Sequence, residues 1–332
     1  MGSPFYAGML RRLADDYDNG GVTRTFFDAD RERENRSRPG IRLMGAFHFC
    51  ALDGSAPNLA RHFPSAGGDG DATAGWHACR NILIAKPEKI ERLFERIPQT
   101  NEVGRATLLL AASLATAAHF SLPLRIFEIG ASAGLNSRFD RFRYEGANWS
   151  WGDSSPLVLQ IREATGKPNF LETPLFIAER HACDLNPLDP GSKTDCLELL
   201  SFIWADQRER ISRLRSALAV ARQFPITVEK AEMYAWICNR VTLTTGFATV
   251  VMHSVVFEHL SLTAIASLRE LFRTIGNTAR SSAPFAWLRM EYHNGGFETR
   301  ITLWPDEREI LIARSDGHGN SIHWNESAPP TA

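Results

Sequence analysis

The sequence predicts an α/β protein: a mostly parallel sheet with a C-terminal antiparallel hairpin, behind a helical N-terminal region. Three observations carry this prediction. From Leu124 onward, short apolar runs alternate with helical patterns. The stretch Leu124-Arg-Ile-Phe-Glu-Ile-Gly-Ala-Ser-Ala-Gly-Leu-Asn136 reads as a buried strand, a glycine-rich turn and a helix start. Before it, apolar residues recur at helical spacing.

In chain order, Ile41 to Leu52 and Ile90 to Ile97 have the helical period, and Pro64 to Gly75 is a loop by composition. The charged stretch Asp28 to Arg38 is expected to be a solvated face or loop. Ala106 to Phe120 is apolar all round; it is short for a membrane span and predicts a buried helix. Arg125 to Ile129 is the first strand, and Leu135 to Tyr144 the helix behind it. Residues 145–173 are an irregular insert. A second strand begins at Leu175 and ends near Asp184. Asp195 to Phe224 follows as one long amphipathic helix. Ile226 to Glu229 is a third strand, leading into a short helix from Glu232. Phe247 to Met252 is the fourth strand, Leu262 to Ile275 the next helix and Phe285 to Met290 the fifth strand. Glu298 to Leu303 and Glu309 to Ala313 complete an antiparallel pair. The expected division is a helical cap region over 1–120 and a sheet domain over 121–332.

A chain of 332 residues with 44% hydrophobic and 23% charged residues has the means for a sizeable core. The formal net charge of −1 gives no global drive toward nucleic acid or an anionic membrane. Cys50, Cys79, Cys183, Cys196 and Cys238 lack C-x-x-C spacing, which argues against a zinc knuckle and fits a reducing, cytoplasmic setting. No apolar segment follows Arg11 and Arg12, so no signal peptide is expected. Histidines are scattered, and no metal is expected.

The glycine turn supports two enzymes. Glu128-x-Gly130-x-Ser132-x-Gly134 is similar to the first cofactor loop of a class I S-adenosylmethionine (SAM) methyltransferase. Gly130-x-Ser132-x-Gly134 also matches the nucleophile elbow of an α/β-hydrolase. Three features favour the first. Glu128 suits a cofactor ammonium but would oppose an oxyanion. No strands or HGGG-like motif precede the turn. Downstream, Cys183-Asp-Leu-Asn-Pro187 puts Asp184 at a strand end, where it can accept from ribose hydroxyls. Fifty residues separate Gly134 from Asp184, against roughly 20 in the compact unit; the 145–173 insert accounts for the excess.

Four segments together resemble the DUF2332 proteins, a bacterial family. They are Leu43-Met-Gly-Ala-Phe-His48, Gln99-Thr-Asn-Glu-Val-Gly-Arg105, Glu128 to Asn136 and Asp184-Leu-Asn-Pro-Leu-Asp189. The pair Gly134-Leu-Asn136 and Asp140-Arg-Phe-Arg-Tyr144 matches as well. The resemblance covers nearly the whole chain and names no reaction. It implies a Rossmann-like class I methyltransferase sheet behind the helical region.

The expected function is SAM-dependent methyl transfer to a small-molecule acceptor, with oligomeric state left open. Glu128, Gly130, Ser132, Gly134, Asp184, Asn186 and Glu232 are the cofactor candidates, although Asp184 and Glu232 also suit helix or turn capping. Asn101, Arg105 and Tyr144 are the substrate-binding candidates. His253, directly after the fourth strand, is the candidate proton acceptor. The alternatives are a serine hydrolase using Ser132 and a non-catalytic binding or interaction module.

Overall fold

The structure is a computed structural model and describes residues 2–31 and 38–326. Residues 32–37 of the charged stretch therefore lie outside it. Contacts divide the chain into two compact units, Met1–Thr100 with Pro190–Arg215, and Asn101–Asp189 with Ser216–Ala332. The boundary thus falls at residue 100 rather than 120, and the first unit includes a later segment.

The first unit is helical: α1 (Pro4–Asp18), α2 (Val22–Arg31), α3 (Pro39–Leu52), α4 (Pro57–Ala60), α5 (Ala72–Ala85) and α6 (Pro87–Phe94). The second unit opens with α7 (Ala106–Phe120) and β1 (Leu124–Ile129). A 3-10 turn (Asn136–Arg141) leads into β2 (Arg143–Glu145), β3 (Ser150–Trp151), β4 (Val158–Gln160), β5 (Glu163–Thr165) and β6 (Ile177–Asp184). Next come α8 (Lys193–Ser201) of the first unit and α9 (Arg208–Gln223), which is divided at Arg215. The second unit continues with β7 (Val228–Lys230), α10 (Met233–Arg240), β8 (Ala248–Ser254), α11 (Leu262–Gly276), β9 (Phe285–His293), β10 (Gly296–Trp304), β11 (Arg308–Ser315) and β12 (Ser321–Trp324).

In the first unit, Met9, Phe47, Phe63 and Trp76 pack in one core. The expected single helix over Asp195 to Phe224 is broken between α8 and α9. There the Asp206 carboxylate accepts from Ser3 Oγ at 2.6 Å and from the Phe5 amide at 3.3 Å, at the start of α1. The Ser201 carbonyl accepts from His48 Nδ1 at 3.0 Å. These long-range bonds outweigh the helical pattern of the segment.

Among the described residues, the second unit holds a nine-stranded sheet in the order β5-β12-β11-β10-β9-β8-β1-β6-β7. The run β7-β6-β1-β8-β9 is parallel, and β9 to β12 form an antiparallel meander. The strand order reverses at β1, whose neighbours β6 and β8 lead in opposite directions. Ligands of open α/β sheets bind at the carboxyl ends of strands at such a point. β1 is buried at every position, as a central parallel strand requires. The mostly apolar α7, buried on nearly all sides, packs against β9, β10 and β11. By length and composition alone, Val103–Phe120 could cross a membrane, but most of it is buried in the fold.

Two local expectations fail. Leu135 to Tyr144 is not an α-helix: Arg138 breaks the turn at φ −105° and ψ 19°. Its buried guanidinium instead reaches the Gly134 carbonyl at 2.5 Å and the Phe224 carbonyl at 2.7 Å. The insert is also ordered. β2, β3 and β4 form a small sheet, and β5 pairs with β12 at the edge of the large one.

Candidate ligand-binding site

Immediately after β1 the backbone turns through three left-handed residues: Gly130 (φ 64°), Ser132 (φ 55°) and Gly134 (φ 64°). Glycine accepts such angles without steric cost. Both glycines also allow close approach. A Cβ on Gly130 would stand 2.6 Å from Val256 Cγ2, and one on Gly134 would stand 2.9 Å from Val228 Cγ2. The loop after β8 and the start of β7 therefore press directly on the glycine turn.

The loop amides are tied to neighbouring segments. Ala131 N donates to the Cys183 carbonyl at 3.0 Å and Ser132 N to Asp184 Oδ2 at 2.8 Å. Leu135 N donates to Asn101 Oδ1 at 2.9 Å. Asp184 Oδ1 accepts from the amide of exposed Asn186 at 2.8 Å. Asp184 is half-buried, and these two bonds use about half of a carboxylate's roughly four acceptor directions. Asp184 thus braces the turn and retains acceptor capacity.

Asn101, Glu102 and Arg105 converge on the same strand ends. Arg105 Nε donates to the Gly317 carbonyl at 2.9 Å, and its Nη1 lies 3.4 Å from the Ser254 carbonyl. Asn136 Nδ2 donates to the Glu102 carbonyl at 3.3 Å, and the Glu102 carboxylate lies 3.4 Å from His318 Nδ1. Asn101 and Arg105 therefore hold loop backbone at the site, where a substrate contact was expected.

Several other candidates have structural roles. Tyr144 is fully buried, with its hydroxyl donating to the Phe139 carbonyl at 2.6 Å, so it does not wall a pocket. Glu128 is buried and accepts from Ser137 Oγ. Burial pushes its carboxyl from 4.5 up to about 7, against the lowering effects of Ser137 and Arg138. An enclosed carboxylate in this position does not reach a cofactor ammonium. Glu232 is the N-cap of α10, its two oxygens accepting from Tyr234 N at 3.1 Å and Ala235 N at 3.0 Å.

His253 is fully enclosed. Trp287 Nε1 donates to its Nε2 at 2.9 Å, which leaves Nδ1 to donate to Glu291 Oε1 at 2.7 Å. Both ring nitrogens are engaged, so His253 is not an available base. Glu291 also accepts from Val256 N at 2.8 Å and Phe257 N at 3.3 Å. Between them and β8 lies Val255 at φ 57°, a strained angle for a β-branched residue. Its amide is fixed to the Met290 carbonyl at 2.8 Å. The chain Trp287–His253–Glu291 thus clamps a strained loop against Gly130. The sequence does contain a signal for it: Trp287 and Glu291 share one strand face, two residues either side of Arg289, which pairs with His253.

Among the described residues, no group of three or more His, Cys, Asp or Glu is placed to hold a metal ion. A family model described as "uncharacterized protein conserved in bacteria (DUF2332)" matches residues 1–324. No curated protein and no solved structure matches the chain at a significant level.

Proposed function

The chain belongs to the DUF2332 family, and from the geometry of its glycine turn we propose that it is a SAM-binding protein that transfers a methyl group to a small-molecule acceptor. The observation that carries this reading is the Asp184 bridge. At the point where strand order reverses, the carboxylate at the end of β6 holds the left-handed turn after β1 and keeps acceptor capacity for a ribose diol. The order β7-β6-β1-β8-β9 corresponds to the first five strands of a dinucleotide-binding sheet, 3-2-1-4-5 in sequence order.

The ribose end of the cofactor fits Asp184. The amino-acid end does not fit Glu128, which is enclosed. When bound, SAM supplies a methyl group activated by a sulfonium. Gly130 and Gly134 let backbone approach the ligand, and the clamped Val255–Phe257 loop forms a fixed wall. With His253 engaged at both nitrogens, the rate gain rests on proximity and orientation rather than on a base at that position.

Calorimetry with SAM and S-adenosylhomocysteine on the full chain tests the reading. Saturable binding is expected. Gly130→Arg should abolish it, and Asp184→Asn should weaken it about tenfold, the equivalent of roughly 1.4 kcal/mol. Circular dichroism checks that both variants fold. Absence of binding at millimolar ligand would sink the proposal.

The left-handed Ser132 is the one feature that also favours a nucleophile elbow. Ser132→Gly separates the readings. Relief of the left-handed strain, about 1–2 kcal/mol, is about half offset by glycine's chain entropy of about 0.5–1 kcal/mol. Stability should therefore rise by no more than about 1 kcal/mol and SAM affinity stay nearly unchanged, whereas a serine hydrolase would lose its activity entirely.

A further inference from the structure

On one face of the sheet, α11 packs over the start of β9, with Phe272 against Phe285 and Trp287. Further along the same face the side chains turn polar, in a cleft of about 470 Å³. That volume falls within the usual span for small-molecule sites. Arg289 of β9 stands directly opposite Arg300 of β10, and Glu291 opposite Glu298. Like charges opposed across a sheet are unfavourable, and charged side chains on a covered face lose hydration. Yet Arg289, Glu291 and Glu298 are all buried. Apolar residues would serve folding at least as well there.

Most of these charges are satisfied within the sheet. Glu309 serves both Arg289 and Arg300, the latter at 2.7 Å. Glu298 serves Arg300 at 2.7 Å and Arg314 at 3.1 Å. Glu307 serves Arg273 at 3.2 Å, and Glu291 is committed to the His253 clamp. The exposed Arg269, on α11, is different. Its guanidinium lies 5.9 Å from the Phe257 ring centre and has no carboxylate partner among the described residues. It is also close enough to repel the charge on Arg289, which itself stacks on Trp287 at 3.9 Å. Guanidiniums gathered in a concave, aromatic-walled site suit a carboxylate or phosphate oxyanion.

We propose that this cleft binds a small organic acid, with its oxyanion between Arg269 and Arg289 and a flat hydrocarbon body against Phe257. The cleft shares Phe257 and Glu291 with the clamp but includes no residue of the glycine turn, and binding there requires no SAM. Carboxylate and phosphate share the recognising chemistry, so benzoate and phenyl phosphate are the two probes. Acetate and inorganic phosphate, which lack the ring, are the controls.

Calorimetry on the full chain is expected to give saturable binding of at least one ring-bearing probe, weakened by added salt. Whichever probe binds identifies the anion. The exposed Arg269→Gln should keep the wild-type melting temperature and weaken binding about tenfold or more. Three outcomes would overturn the proposal: neither probe binding at millimolar concentration, equal affinity in Arg269→Gln, or acetate and phosphate binding as tightly as the ring-bearing probes.

Discussion

Replacement of Glu291 by alanine is expected to destabilise the second unit by about 3–5 kcal/mol, because its carboxylate is the acceptor for three donors enclosed around it. The carboxylate accepts from His253 Nδ1, Val256 N and Phe257 N. Its removal strands these donors, each at about 1–3 kcal/mol when buried. It also releases the restraint on Val255, whose left-handed backbone stores about 1–3 kcal/mol of strain. Relaxation of that loop would recover part of the loss, which keeps the net effect below the sum. Against a typical total of about 5–15 kcal/mol, this is a large fraction. Urea unfolding followed by intrinsic fluorescence measures it. Glu291→Gln, which retains one acceptor oxygen, should lose less. A loss below about 1 kcal/mol in the alanine variant would show that the clamp does not hold the loop.

Glu128 makes stability depend on pH in the direction opposite to most carboxylates. Burial raises its folded-state pKa from 4.5 to about 7, so the folded protein holds the proton more tightly than the unfolded chain. Its stabilising contribution is complete below pH 4.5 and is lost as pH rises through about 7. A shift of this size corresponds to about 3 kcal/mol. Glu128→Gln, neutral at every pH, should lack that loss and so gain on wild type between mildly acidic and mildly alkaline buffer. The comparison has to be between proteins rather than along one curve, because His48 titrates over part of the same range. Burial lowers its pKa from 6.5 to about 4, so its contribution is present above 6.5 and is lost as pH falls toward 4. Parallel curves for wild type and Glu128→Gln in urea titrations would remove Glu128 as the source.

Much of the scaffold was legible because local pattern and tertiary position agree. The apolar run of β1, the all-round apolar α7 and the strand rhythm through β9 each appear where their periodicity predicts. Glu232 fits too, since an acidic cap needs only the helix that follows it. Legibility failed where a distant group competes. Arg138 diverts Leu135 to Tyr144 from helix by reaching the Phe224 carbonyl, 86 positions away. Asp206 breaks a long helical pattern to bind the start of α1, about 200 positions away.

The sequence by itself determined where the chain turns: Gly130 and Gly134 at the end of β1 and Asp184 at the end of β6, because backbone angles and strand ends are local properties. Only the tertiary structure decided what the polar groups around that turn do. Asp184 braces Ser132, Glu128 is shut in with Ser137, and His253 is held between Trp287 and Glu291. The physical reason is that a hydrogen bond depends on which donor and acceptor meet at about 3 Å. For these groups the partners lie 9 to 52 positions apart in the chain and meet only when the sheet is assembled.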